Sequence, residues 1–431
     1  MAMQPATDAR AGTVFRVVSG NFLEMYDFMV YGFYASSIAK AMFPGDNEFI
    51  SLLLSLATFG VGFLMRPLGA IVLGSYMDKH GRRAGLIVTL TLMSIGVLLI
   101  AVTPGYASIG VLAPVLVIAG RLLQGFSAGA ESGGVSVYLS EIAPPGRRGF
   151  YVSWQSASQQ ISVLIAAILG VVLRFTLSGE QMDAWGWRIP FLFGCSIIPV
   201  LFWIRRSVEE SHVFKAQKPQ SVGDIFRSLA SNWKVIAWST MLVTLTSIMF
   251  YLITAYTPTY GRAVLGLKPI DTFWVTIGVA TTTFIMIPLM AALSDKVGRK
   301  PMLAGASLII AIVSYPAMSW LVSAPSFGAL LAVEVGFAVL YATYQASLVV
   351  TLTEIIPSNV RGTGFSLAYS LSQAIFGGFT PAICTLLIHT TGNKAVPGAW
   401  LSVGAVLALV ATLAVVREDK SGVRKMSTVT S

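Results

Sequence analysis

Apolar residues fall into long continuous stretches, separated by short polar or charged segments. A helix needs about 20 apolar residues to cross the hydrocarbon core of a bilayer. Runs of that kind cover 17–40, 49–77, 84–103, 109–140, 150–175 and 187–204, then 235–260, 270–293, 301–322, 326–354, 362–388 and 397–416. The pattern predicts an all-α membrane protein with twelve transmembrane helices. The runs are continuous and too long for barrel strands, which alternate over about ten residues. The first run carries Glu24 and Asp27 and lacks a small-residue cleavage site, so it reads as a span and not a removable leader.

Composition agrees. Hydrophobic residues make up 55% of the 431 and charged residues only 11%, against roughly 25% charged in a soluble domain. Such a chain cannot cover a water-facing surface, which excludes a soluble enzyme. The net charge of +10 sits in short clusters between apolar runs, so it signals topology and not nucleic-acid binding. Most of the 29 Lys and Arg residues fall on one side, in clusters such as Arg82–Arg83, Arg147–Arg148, Arg205–Arg206 and Arg299–Lys300. Lys40, Arg174, Arg188, Arg262, Lys268 and Lys394 fall on the other. The positive-inside rule then places both termini in the cytoplasm. Cys195 and Cys384 lie inside apolar runs and suggest no disulfide; His80, His212 and His389 are too scattered for a metal site. No phosphate-binding loop of the G-x-x-x-x-G-K-[ST] kind occurs. No catalytic residue, cofactor or metal is expected.

The chain repeats itself at half length. Gly74-Ser75-Tyr76-Met77-Asp78-Lys79-His80-Gly81-Arg82-Arg83 returns as Ala291-Ala292-Leu293-Ser294-Asp295-Lys296-Val297-Gly298-Arg299-Lys300. Ser140-Glu141-Ile142-Ala143-Pro144, with Arg148-Gly149, returns as Thr353-Glu354-Ile355-Ile356-Pro357, with Arg361-Gly362. Two motifs at nearly one offset imply two six-helix halves, 1–204 and 235–431, joined by a polar linker over 205–234. Parallel repeats of this kind are a transporter architecture with the substrate site near mid-membrane.

The first motif resembles the cytoplasmic loop signature of the major facilitator superfamily; in its second copy Ala291 stands in place of the usual Gly. A narrower resemblance lies in Gly20-Asn21-Phe22-Leu23-Glu24-Met25-Tyr26-Asp27-Phe28, Arg121-Leu122-Leu123-Gln124-Gly125 and Tyr256-Thr257-Pro258-Thr259-Tyr260-Gly261-Arg262. These are similar to the metabolite–proton symporter family. Ser153-Trp154-Gln155-Ser156-Ala157-Ser158-Gln159-Gln160 resembles the citrate–proton and tricarballylate–proton symporters of enteric bacteria. The resemblance implies alternating-access uptake of a small carboxylate anion with protons at a bacterial inner membrane. A lipid-embedded monomer without a nucleic-acid partner is expected. A zwitterion such as proline or betaine, or a dicarboxylate, is the alternative cargo.

Ionisable groups inside spans are costly and point to function. Glu24 and Asp27 are separated by three positions, about 60° apart around a helix, with Asn21 and Tyr31 flanking the same face. Either acid is a candidate proton carrier, Asp27 being the deeper. Arg121 stands near the middle of the fourth run and cannot escape burial by deprotonation, so it needs an anion: Glu24, Asp27 or the substrate. Gln124 shares its face. Gln155, Gln159 and Ser162 follow helical spacing, and Tyr251, Thr254, Tyr341 and Gln345 are comparable candidates in the second half. Glu131, nearer the cytoplasm and off the face of Arg121, reads as structural; Glu334, in the outer third on the face of Tyr341, reads as an entry-vestibule residue or a peculiarity of this chain; and Arg66 reads as structural or gating. The loop residues Asp78, Arg82, Arg83, Glu141 and Arg148, with Asp295, Arg299, Glu354 and Arg361, are assigned by resemblance to cytoplasmic salt-bridge clusters that hold the gate.

Overall fold

The computed structural model describes residues 22–80, 82–129, 131–206, 222–357 and 361–416, with Gly12, Val14 and Val18; at 78, 79, 82, 83, 131–134, 204–206, 222 and 224–226 only the backbone is described. Among the described residues there are helices and no strands. Lipid offers no hydrogen-bond partner, so each span must satisfy its own backbone, which a helix does.

The first predicted run folds as α1 (Phe22–Phe33) and α2 (Ala35–Met42), separated at Tyr34. The second is α3 (Glu48–Leu64) and α4 (Arg66–His80), nearly continuous through Met65, with Asn47 capping the Phe49 N–H. Then come α5 (Arg82–Val102), α6 (Leu112–Ala128), α7 (Glu131–Ile142), α8 (Arg148–Thr176) and α9 (Arg188–Arg206). The second half holds α10 (Trp233–Tyr251), α11 (Pro269–Val297), α12 (Arg299–Ser323), α13 (Phe327–Ile355), α14 (Arg361–Ser372), α15 (Thr380–Thr391) and α16 (Val396–Val415). Gly298, at φ 101°, turns the chain between α11 and α12 in a conformation that favours glycine. Within the expected linker, Val222–Ser231 is helical.

Nine described helices are long and apolar enough to cross a membrane, or ten if the bent pair Gly179–Gly186 and Arg188–Trp203 is one span. Among the described residues, the first and fourth runs are not counted with these. The first is broken at Tyr34, and α6 has 17 residues. These are the two runs that carry Asp27 and Arg121.

The exterior is studded with exposed apolar side chains such as Leu54, Leu68, Ile168, Trp203, Leu289 and Ile312. That face suits lipid and would be a liability in water. Inside, α6 lies backbone to backbone against α3 and α4. A Cβ on Gly125 would fall 1.5 Å from the Gly62 carbonyl oxygen, and one on Gly129 2.0 Å from that of Arg66. Only glycine allows so close an approach, and it brings Arg66 and Arg121 into one buried region. Among the described residues four short π-helical segments interrupt the spans, at Met182–Gly186, Leu252–Tyr256, Tyr260–Val264 and Gln373–Gly377. Wide turns of this kind often mark functional positions.

Candidate functional site: a buried acid–base cluster

Two carboxylate–guanidinium pairs lie side by side in the interior. Glu24 and Asp27, three residues apart on α1, each take one arginine. The Glu24 carboxylate accepts a 2.8 Å bond from Arg66 Nη2. Asp27 Oδ2 stands 3.7 Å from Arg121 Nη1. The Phe28 ring sits between them, with the Arg66 guanidinium 4.7 Å and the Arg121 guanidinium 4.4 Å from its centroid. Tyr31 and Phe59 complete the aromatic enclosure of Arg121, at 4.8 and 5.3 Å. Ring faces attract cations, and more strongly where water is absent.

The two pairs differ in tightness. Arg66 is engaged on both sides, since its Nη1 also donates to Gln373 Oε1 on the π segment Gln373–Gly377. That bond links the first half of the chain to the second. Arg121 instead donates to Gln124 Oε1 at 2.7 Å on its own helix, and weakly to the Phe59 carbonyl at 3.4 Å. Asp27 is 1% exposed, yet neither of its oxygens has a hydrogen-bond partner. Arg121 Nε, Gln124 Nε2 and the Tyr31 and Tyr251 hydroxyls are likewise buried without partners. Buried polar groups are nearly always satisfied. This many unsatisfied together makes the cluster a candidate site for a polar guest. Tyr251 closes it from the second half, its ring against Phe59 and Phe63 at 5.8 and 5.1 Å.

A second polar cluster joins α8 to α13. Gln345 Nε2 donates to Ser156 Oγ at 2.9 Å and to the Tyr369 hydroxyl at 3.1 Å. Gln345 Oε1 accepts from Thr246, and Ser156 donates to Gln155 Oε1 at 2.9 Å. Gln155 and Gln345 are thus brought together across the two halves. Gln159 is only half-buried, whereas Gln160 on the next position is buried with both amide atoms unpartnered. The spacing argument favoured the Gln155–Gln159–Ser162 row, but Ser156 and Gln160 face inward as well. Tyr341 is buried and tilts on Phe250 at 5.9 Å. Thr254 is buried and donates its hydroxyl to the Phe250 carbonyl one turn earlier. Asn21 lies outside the described residues.

At one end of the bundle, Asp295 accepts from the N–H groups of Gly149 and Phe150, at 2.9 and 3.1 Å. Those are free donors at the start of α8, where an anion is favoured. Arg299 holds the same carboxylate at 2.6 Å and reaches Glu354 at 3.7 Å. Arg361 donates to the Ile356 carbonyl. Glu141 and Arg148 are exposed, and no ion pair joins either to another described residue. The start of α8 enters this cluster through its backbone and not through the Arg148 side chain. The side chains of Asp78, Arg82 and Arg83 lie outside the described residues. Sequence reasoning missed Gln373, Thr246 and Tyr369. The one signal for Gln373 was a polar residue shortly before the Gly377-Gly378 pair inside a span.

The sequence profile of the Major Facilitator Superfamily matches residues 17–381. The chain belongs to the major facilitator superfamily. Within that superfamily it is 52% identical over 416 residues to the citrate–proton symporter of Salmonella typhi, covering 96% of each chain. It is 51% identical over 411 residues to the citrate–proton symporter of Klebsiella pneumoniae, covering 95% of this chain and 93% of that one. The fold is also that of a solved D-xylose–proton symporter, with a TM-score of 0.76 at 20% identity over 94% of this chain and 98% of that one. The chain is therefore a multi-pass membrane protein with the superfamily's helical fold.

Proposed function

We propose that this protein accumulates a tricarboxylate, citrate or tricarballylate, by symport with protons across the bacterial inner membrane. Twelve spans in two six-helix halves, 1–204 and 235–431, rock about a central site, with the 205–234 linker and both termini in the cytoplasm. The unit is a monomer, and no covalent chemistry, cofactor or metal takes part.

The observation that carries this reading is the loose Asp27–Arg121 pair. Arg121 is a permanent cation with no exposure to solvent, so an anion must stay near it. That anion is Asp27, at 3.7 Å and without hydrogen bonds. A substrate carboxylate can offer Arg121 two oxygens in the planar geometry a guanidinium prefers. Once it does, a charged Asp27 beside it is a surplus anion in a dry place, and a proton on Asp27 removes that surplus. Substrate and proton then load together because each makes the other's burial cheaper. The identity to citrate–proton symporters over nearly the full chain supports the cargo. The Gln155–Ser156–Gln345 cluster supplies neutral donors for the remaining carboxylates, and Tyr251 caps the site from the second half. The Asp295–Arg299–Glu354 cluster holds the cytoplasmic end shut.

The test is uphill uptake of labelled citrate into proteoliposomes under an imposed pH gradient, with tricarballylate, α-ketoglutarate, proline and betaine as competitors. Competition by tricarboxylates alone is expected. Strong competition by proline or betaine, with no citrate accumulation, would replace the cargo by a zwitterion.

A further inference from the structure

At the membrane end opposite Asp295, a narrow cleft, with room as it stands for little more than a water molecule, lies between the two halves of the chain. Arg174, Ser36 and Ser37 line it from the first half, and Arg262, Thr259 and Thr272 from the second. Arg174 sits in the last turn of α8, whose first turn contacts Asp295, so the two features are separated by roughly 40 Å at 1.5 Å per residue.

The cleft is electrically incomplete. Its two guanidiniums are close enough for their like charges to act on each other. Among the described residues neither has an ion-pair or hydrogen-bond partner, and Arg174 Nε is buried and unsatisfied. The neighbouring acid, Asp183, acts on both but offsets them only in part, since it is one negative charge facing Lys40, Arg174 and Arg262. Its two oxygens are taken by Lys40 at 2.7 Å and Ser37 at 2.7 Å. Thr259, only 3% exposed, also points an unpartnered hydroxyl oxygen at this cleft. Three cations drawn from both halves around a single acid leave an excess of positive charge that a further anion would relieve.

We infer that this cleft is an outer anion site, which takes a carboxylate-bearing solute between Arg174 and Arg262 before the solute reaches Arg121. The assignment of this end as the outer one rests on the reading proposed above. When the cleft opens, a polycarboxylate can offer one carboxylate to each arginine, with the Thr259 and Ser36 hydroxyls as further donors. A monocarboxylate or a zwitterion satisfies only one guanidinium. The site therefore selects by charge number at the mouth, before the central site selects by shape.

The experiment separates the mouth from the centre. Cys195→Ser and Cys384→Ser remove the native thiols, and Ser36→Cys places a probe in the cleft of the full-length protein. Its modification by a membrane-impermeant anionic methanethiosulfonate is timed with and without citrate. Citrate should slow labelling, and should still do so when Arg121→Ala disables the central site. Arg174→Gln or Arg262→Gln should abolish the protection, while the Lys replacements retain part of it. In uptake assays each Gln variant should raise the half-saturating citrate concentration roughly tenfold, as for loss of a hydrogen bond to a charge, with the maximal rate within about twofold. Protection that vanishes with Arg121→Ala, or that survives both Gln variants, overturns the inference, as does unchanged half-saturation. If citrate is not accumulated at all but other di- or tricarboxylates protect through the two arginines, the cargo assignment fails and the outer site stands. If citrate accumulates normally in both Gln variants, the cargo stands and the outer site fails.

Discussion

Replacing Asp27 by Asn separates coupling from transport. The amide keeps the size of the side chain and imitates the protonated acid, but it strands Arg121 without a counter-charge. Stranding one member of a buried pair costs about 3–5 kcal/mol. Here the loss is softened. The guanidinium keeps the 2.7 Å bond to Gln124 and three ring faces at 4.4, 4.8 and 5.3 Å, each worth about 0.5–2 kcal/mol. The original pair, at 3.7 Å without a hydrogen bond, was also weaker than an ideal one. The net cost of Asp27→Asn should be about 1–3 kcal/mol, so the variant folds with a lowered melting temperature. Transport suffers differently. Under a gradient of two pH units, each coupled proton is worth about 2.7 kcal/mol, or roughly a hundredfold accumulation. Asp27→Asn should reduce that ratio to about one, because the side chain can no longer alternate between charge states. Exchange of internal for external substrate should persist, since a loaded site still rocks between its two faces. The assay measures labelled citrate in proteoliposomes, first with an imposed gradient and then in counterflow without one. Accumulation above equilibrium by Asp27→Asn, with Glu24→Gln behaving alike, would refute Asp27 as the carrier.

Arg121→Ala should abolish uptake and destabilise more than Asp27→Asn, because the carboxylate it strands has no hydrogen bond of its own; Arg121→Lys should lose at least tenfold in uptake, lacking the planar fork, and near-normal uptake by both would remove Arg121 from the site. Asp295→Asn should shift the protein toward the state open at that end by about 1–2 kcal/mol, read as faster thiol labelling of a cysteine placed beneath it, with citrate binding in detergent retained. Gly149→Val should act in the same direction, since its ideal Cβ already lies 2.8 Å from Asp295 Oδ1 and 3.0 Å from the Ala291 carbonyl; unchanged labelling in both variants would detach this cluster from gating. Gln345→Leu should weaken citrate binding by about 1–3 kcal/mol, as titration in detergent would measure, if its amide serves the substrate as well as Ser156 and Tyr369.

Much of this arrangement was legible because lipid enforces it. Continuous apolar runs announced the helices, and Glu24, Asp27 and Arg121 stood out since a charge in a span must be compensated. The partner assignment was less accessible. From sequence, Arg121 could have met either acid, and helical angles alone do not say which. The choice depends on how α6 lies on α3 and α4, which Gly62, Gly125 and Gly129 decide by permitting backbone contact. The periodic row points to Gln159 over Gln160, but two helical faces of α8 are polar, and only burial in the folded chain separates them. Gln373 was invisible because it acts from a π-helical turn, where side-chain direction departs from the 3.6-residue period. The gate illustrates another limit. A motif naming Arg148 draws attention to its charge, while the contact that forms uses the amides of Gly149 and Phe150, which carry no sequence signature.

On the proposed reading, the two acid–base pairs make Asp27 better suited to coupling than Glu24. Glu24 is held by a 2.8 Å bond to an arginine that itself reaches across to Gln373 in the second half. Changing the charge of Glu24 would therefore loosen an inter-half contact as well as a local pair. Asp27 has no such tie. Its oxygens touch no donor, and its arginine is steadied by Gln124 and three rings that do not depend on the state of the acid. A group that must gain and lose a proton in each cycle works best where that change is felt by the substrate's partner and little else. The stiff pair at Arg66 fixes how the halves meet, and the slack pair at Arg121 is free to respond to what arrives between them.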